Sequence, residues 1–340
     1  MIDRGEAPFG KSRPAWLGYA SGVGVIHLLA FSLLLIKMRN YPQLLGFAFL
    51  AYTLGLRHAF DVDHIVAIDN VVRKLVQQKE NPAGAGFFFS LGHATVVCAM
   101  ALITAFSLGW AEGGLPQLKA YGGIVATTVS GTFLILIGVF NLFIWLSVYR
   151  LFKEMRRGKY EEEDLDHLLA SRGFLSRIFK FAFRFINKSW HVYPLGFLFG
   201  FGFDTASEIA LIAVSASVAF QAMPMSVVAV LPLLFAAGMT LMDTADGVFM
   251  TTAYNWAFAN PLRKIYYNLS VTGMSVVAAL VIGLVELLQL LTPALGLNSG
   301  IWGWIQHLSF GSMGYLLVVL FVISWAFSYG LWRVLRLEEH

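Results

Sequence analysis

The chain alternates between long apolar runs and short polar stretches. Eight runs approach or exceed the roughly 20 residues that cross a bilayer core of about 30 Å as a helix. They cover residues 15–36, 43–70, 86–109, 121–149, 194–220, 226–258, 267–291 and 309–333. The pattern predicts an all-α, polytopic integral membrane protein with about eight transmembrane helices. The first run is too long for a cleaved leader, and no convincing small-residue cleavage site follows it. Residues 1–149 form one four-helix half and 194–340 the other. Between them, 150–193 reads as a polar loop.

Charge placement orients these spans. Eight crossings put both ends of the chain on one side. Twenty of the 24 Lys and Arg residues fall in segments on that side, among them Arg73, Lys74, Lys79 and ten between Arg150 and Lys188. The positive-inside rule makes that side, and both termini, cytoplasmic. Within the loop, Arg177, Lys180, Arg184 and Lys188 recur at helical spacing opposite a Phe/Ile face. That is the pattern of a basic helix lying in the headgroup region.

Composition narrows the picture. The 340 residues are 58% hydrophobic and 13% charged, with a mean hydropathy of +0.69. A soluble domain carries about 25% charged residues, so this chain has too little charge to coat a soluble surface. No basic face for nucleic acid is present. The single cysteine, Cys98, forbids an intrachain disulfide and a multi-cysteine metal site.

Function must therefore lie in the polar groups kept inside the spans, each costing at least ~2.5–3.5 kcal/mol to insert if unpartnered. The second span holds Arg57, His58, Asp61, Asp63, His64 and Asp69. The first holds His27, the third His93, the fifth Asp204 and Glu208, the sixth Asp243 and Asp246, and the seventh Glu286. On a continuous helix His58, Asp61 and His64 share one face within roughly 120°. Two imidazoles and carboxylates on one face suit a borderline dication such as Ni²⁺, Co²⁺ or Zn²⁺. Mg²⁺ and Ca²⁺ prefer oxygen donors alone. The plainer alternative is a His–Asp network that braces the bundle. Arg57 is expected to balance Asp63 or Asp69, or to reach the headgroups. His93, next to Gly92, is expected either to ligate or to support the site. Asp204/Glu208 and Asp243/Asp246, each pair on one helix face, suit a cation path. His27 joins them as a path or supporting residue.

Phe60-Asp61 followed by His64-Ile-Val-Ala-Ile68 echoes Phe203-Asp204 followed by Glu208-Ile-Ala-Leu-Ile212. In the assigned topology the two copies run in opposite directions, the mark of an inverted repeat with its site at the repeat interface.

Four stretches resemble signatures of the nickel/cobalt transporter family. They are Arg57-His-Ala-Phe-Asp-Val-Asp-His-Ile65, Phe89-Ser-Leu-Gly-His-Ala-Thr-Val-Val97, Leu198-Phe-Gly-Phe-Gly-Phe-Asp-Thr-Ala-Ser-Glu208 and Gly238-Met-Thr-Leu-Met-Asp-Thr-Ala-Asp246. They occur in the family's order across nearly the whole chain. Val62 stands where Ala is common and Ser207 where Thr is frequent, and neither change removes a donor. The resemblance implies a single-chain permease of the bacterial inner membrane that imports Ni²⁺, Co²⁺ or both. It places metal recognition on His58, Asp61, Asp63 and His64. Nickel or cobalt would be the transported substrate rather than a cofactor. The expected partners are that ion and the lipid bilayer, with no nucleic acid and no obligatory protein partner. A di-iron oxidase or desaturase also displays histidines on membrane helices, but usually needs more than His27, His58, His64 and His93. A proton-coupled carrier of an organic cation would explain the carboxylates and leave the paired histidines without a purpose.

Overall fold

The computed structural model describes residues 16–106, 115–155, 186–201, 206–221, 223–258, 269 and 272–308, with scattered positions between 315 and 326. Every regular element among the described residues is helical. They are α1 (Trp16–Met38), α2 (Leu44–His58), α3 (Val62–Gln77), α4 (Ala85–Phe106) and α5 (Leu115–Met155) in the first half. A 3₁₀ turn (Ser189–Val192) leads into α6 (Tyr193–Phe199), α7 (Ala206–Phe220), α8 (Met225–Val228), α9 (Val230–Phe258), α10 (Gly273–Ala294) and α11 (Ile301–Gln306). Four of the described stretches are long and apolar enough to cross a membrane: Trp16–Met38, Ala85–Ala105, Met225–Trp256 and Gly273–Ala294. The basic amphipathic helix expected over 174–186, apart from Ile186, and most of the eighth span lie outside the described residues.

Prolines punctuate the chain where backbone donors are dispensable. Pro194 sits in the first turn of α6 and Pro224 caps α8. Gly296, with φ of +71°, takes the left-handed conformation that ends α10.

The layout is inverted relative to a soluble protein. On α1 only Val23, Ala30 and Leu34 are buried, while Leu28, Leu29, Leu35 and Ile36 stand exposed, as lipid-facing residues would. At the centre, α3 is buried around nearly its whole circumference, with every residue from His64 to Leu75 enclosed. It packs on α9, which in turn lies against α1, α2 and α4.

The second predicted span is not one helix. It breaks between His58 and Val62, where Asp61 adopts an extended backbone (φ −66°, ψ 142°). Tight turns close the break: the Phe60 amide donates to the Arg57 carbonyl at 3.0 Å, and the Asp61 amide to the His58 carbonyl at 2.9 Å. An interrupted helix is tolerated at membrane depth only where protein or a cavity surrounds it, and here His58, Ala59, Asp61 and Val62 are all buried. In the fifth predicted span α6 ends at Phe199, capped by Gly200, and α7 is described from Ala206.

Two expectations about basic residues are corrected. Arg73 and Lys74 do not lie in a cytoplasmic segment after the second span. They lie inside α3 and are buried, Arg73 completely. Arg73, four residues after Asp69, is the cation that pairs with that carboxylate, at 2.7 Å. Of the alternatives for Arg57, the pairing with Asp69 is thereby taken by Arg73, and Arg57 is exposed on α2.

Candidate metal centre

Three imidazoles from three helices meet at the break. His58 ends α2, His64 lies in the first turn of α3, and His93 sits in the middle of α4. Their ring centroids are 4.6 Å (His58–His64), 4.7 Å (His64–His93) and 4.8 Å (His58–His93) apart. One nitrogen of each lies within 4.8 Å of the other two. The break, not a common helical face, makes this triangle, because it lets α2 and α3 each aim a histidine at the same point.

Glu208, in the first turn of α7, completes the group. His93 Nε2 is 2.9 Å from both His58 Nε2 and Glu208 Oε1. His58 Nε2 and Glu208 Oε1 are 3.8 Å apart. Three atoms with these separations lie on a circle of radius about 1.9 Å, so an ion near its centre is close to the ~2.0–2.1 Å at which a first-row dication holds imidazole nitrogen. Without an ion, a proton on His93 Nε2 satisfies the same hub, donated toward the His58 nitrogen and the Glu208 carboxylate. Metal binding would release it.

The outer nitrogens explain how the inner ones are aimed. His58 Nδ1 donates to Asp61 Oδ2 at 2.8 Å, and His64 Nδ1 donates to Asp243 Oδ2 at 3.1 Å. A carboxylate on one ring nitrogen fixes the tautomer and leaves the other nitrogen's lone pair facing inward, the usual support of a metal-binding histidine. His64 Nε2 is buried with no hydrogen-bond partner among the described residues. An orphaned acceptor of this kind fits a cation.

The surroundings are dry. His64 and Glu208 have no exposed surface and His58 has 1%. Phe89 meets the His64 ring edge-on at 4.9 Å, and Phe235 lies 5.5 Å from that of His58. Desolvated carboxylates and imidazoles in such a pocket are costly unless hydrogen-bonded or shared with a cation.

Close helix crossings hold these distances. A Cβ at Gly92 would stand 2.1 Å from the Tyr193 carbonyl oxygen, and one at Gly196 2.0 Å from that of Phe89, so α4 and α6 touch backbone to backbone beside His93.

The remaining expected site residues fall as follows. Asp61 holds His58 from outside the triangle. Asp63 is half-buried, and its charge acts on His58 and Asp243. Asp243 supports His64. Asp246, one turn further along α9, is half-buried with one carboxylate oxygen enclosed and unpartnered among the described residues. His27 stands apart on α1, bonded to the Val23 carbonyl at 2.9 Å and the Tyr52 hydroxyl at 3.3 Å. Asp204 lies outside the described residues. The sequence reading missed the buried partners of Asp69, which are Arg73, Tyr254 and Ser275. Only Arg73 left a signal, its four-residue spacing from Asp69.

Known proteins match most of this sequence. The family model described as NicO, high-affinity nickel-transport protein, matches residues 44–331. The nickel transporter NixA of Staphylococcus aureus is 52% identical over 331 residues, covering 97% of this chain and 98% of that protein. The high-affinity nickel-transport protein NixA of Helicobacter pylori strain J99 is 48% identical over 327 residues, 94% of this chain and 97% of its own. The cobalt transport protein NhlF of Rhodococcus rhodochrous is 38% identical over 318 residues, 90% of each chain. No solved structure matches. With the match running from α2 almost to the end of the chain, and with the three-histidine site inside it, the chain belongs to the NicO family of high-affinity nickel-transport proteins.

Proposed function

We propose that this protein is a permease that carries Ni²⁺, and Co²⁺ with it, across the bacterial inner membrane into the cytoplasm. The observation that carries the reading is the buried group of His58, His64, His93 and Glu208: His58 Nε2, His93 Nε2 and Glu208 Oε1 lie at the spacing of ligands around one ion, and a His64 nitrogen lies within 4.8 Å of the other two imidazoles. Relatives named for nickel transport, and one named for cobalt, support the choice of metals. Geometry and donor type, rather than intrinsic affinity, select among such dications.

In this reading the ion sheds its water among the three imidazoles and the Glu208 carboxylate, with Asp61 and Asp243 holding His58 and His64 in place. Asp63, Asp204 and Asp246 line the way to and from it. The chain crosses eight times with both ends cytoplasmic, as the other eighteen basic residues assigned to that side imply once Arg73 and Lys74 are set aside as buried. The second and fifth spans are the paired elements of an inverted repeat, with the site at their interface. A membrane potential supplies about 2.3 kcal/mol per charge per 100 mV, which draws a dication inward without a coupled ion.

Anomalous scattering at the nickel edge from crystals grown with Ni²⁺ tests the site. A single peak within about 2.5 Å of His58 Nε2 and His93 Nε2 is expected, and a peak elsewhere refutes it. Uptake of labelled nickel by proteoliposomes, with no organic substrate consumed, separates a permease from a metalloenzyme.

Imidazole ligates only when neutral, and an ordinary histidine titrates near 6.5. Nickel affinity should therefore weaken as pH falls through about 6. Equilibrium binding that stays tight and unchanged to about pH 4.5 would rule out imidazole ligation.

A further inference from the structure

Two turns beyond the histidine site, α3 carries a second buried polar group. Arg73 Nη2 donates to Asp69 Oδ2 at 2.7 Å, to the Tyr254 hydroxyl oxygen at 2.6 Å and to Ser275 Oγ at 2.6 Å. Both hydroxyls in turn donate to the same carboxylate, Tyr254 to Oδ1 and Ser275 to Oδ2, each at 2.5 Å. The guanidinium also lies over the Tyr254 ring, 5.2 Å from its centroid. Arg73, Asp69, Tyr254 and Ser275 have no exposed surface.

Stability alone does not account for this arrangement. A buried ion pair adds little or nothing over apolar packing, because desolvation offsets the attraction. Its position is more telling. α3 and α9 face each other at the site through His64 and Asp243, and again at the ion pair through Arg73 and Tyr254. Between the two levels stands Asp246, within electrostatic reach of both Asp243 and Asp69. The carboxylates Asp243, Asp246 and Asp69 thus form a row along one seam. At its far end Arg73 neutralises Asp69, so the last carboxylate of the row has no free charge to offer a cation.

The group also joins α3 to the packed pair of α5 and α10. α10 is packed closely on α5: a Cβ at Gly283 would meet the Gly131 carbonyl oxygen at 2.9 Å, and Gly138 faces the Leu280 side chain at the same distance. Polar links tie this pair to α3, Ser275 of α10 to Asp69, and Asn141 of α5 to Asn70.

We propose that the Asp69–Arg73 pair, pinned by Tyr254 and Ser275, is the barrier that closes the path between the histidine site and the end of the bundle where α3 terminates. It opens when the α5–α10 pair moves off α3. The inference rests on the metal site proposed above. While the hydroxyls hold Arg73 on Asp69, a dication that reaches this level meets a carboxylate already neutralised by a guanidinium. When α10 withdraws Ser275, the guanidinium and Asp69 each lose a partner and the seam can be cleared.

Ser275→Ala and Tyr254→Phe, each made singly in the full-length protein, loosen the pins and leave both charges in place. Exchange of labelled nickel across proteoliposomes, and equilibrium nickel binding to the purified protein, are then measured. The barrier predicts exchange at least threefold faster in both variants, with binding within twofold of wild type. Unchanged or slower exchange with binding intact makes the group a brace and overturns the proposal. So does loss of binding or of folded protein in both variants. A His64→Ala protein that still binds nickel as wild type refutes the site reading itself, whichever way the exchange result falls.

Discussion

Glu208→Gln is expected to lower nickel uptake at least 100-fold, roughly 2.7 kcal/mol at 1.36 kcal/mol per decade, while the protein stays folded. Glutamine has the shape of glutamate, and its carbonyl accepts from His93 Nε2 as the carboxylate does now at 2.9 Å. What is lost is charge. Asp61 and Asp243 are committed to the outer nitrogens of His58 and His64, so a dication would enter among neutral imidazoles with no anionic ligand beside it. Two unit charges about 4 Å apart interact by about 4 kcal/mol at an effective dielectric of 20. Losing part of that attraction for a doubly charged ion is enough. Asp243→Asn should cost less, about 10–100-fold, because an asparagine oxygen still orients His64 while only the supporting charge disappears. Calorimetric titration of nickel into the purified variants, alongside labelled uptake, gives the order. If Asp243→Asn is the more damaging, Asp243 rather than Glu208 is the anionic ligand, and the His64 ring is turned from the orientation described.

The polar inventory of the site was legible in the sequence because charge inside apolar runs is conspicuous. His58, His64 and His93 stood out, as did Glu208 and Asp243. Their arrangement did not. A helix drawn unbroken through the second span puts Asp61 between two imidazoles as a ligand. The break at Asp61 instead gives that carboxylate to the outer face of His58, and no periodicity rule reveals an interruption that local propensity does not demand. Arg73 was misread for a related reason. Near the end of an apolar run, a cation that snorkels to a headgroup and one buried against a distant Tyr and Ser leave the same sequence trace. Its partners Tyr254 and Ser275 are 181 and 202 residues away. The long apolar stretches, by contrast, follow from composition and length alone, and four described helices have the required character.

Gly86→Ala is expected to disable the protein although alanine is the better helix former. A Cβ at position 86 would lie 1.8 Å from the Asp243 carbonyl oxygen and 2.6 Å from its carbon. No rotamer relieves a clash with backbone, so α4 and α9 must part by more than 1 Å. The displaced residue on α9 is the one whose carboxylate holds His64 at 3.1 Å, and α4 carries His93 two turns further on. Overpacking of this kind costs about 1–3 kcal/mol, and ligand sets lose their geometry when supports shift by more than about 0.5 Å. Nickel affinity should fall at least tenfold, with a lowered melting temperature. Gly24→Ala on α1 is the control, since a Cβ there has nothing within 4 Å. Both substitutions add one methyl group to a helical glycine, so intrinsic propensity predicts the same small gain for each. A loss of nickel binding at 86 but not at 24 would therefore come from the crossing of α4 and α9. Equal behaviour at the two positions would mean that this contact does not set the histidine geometry.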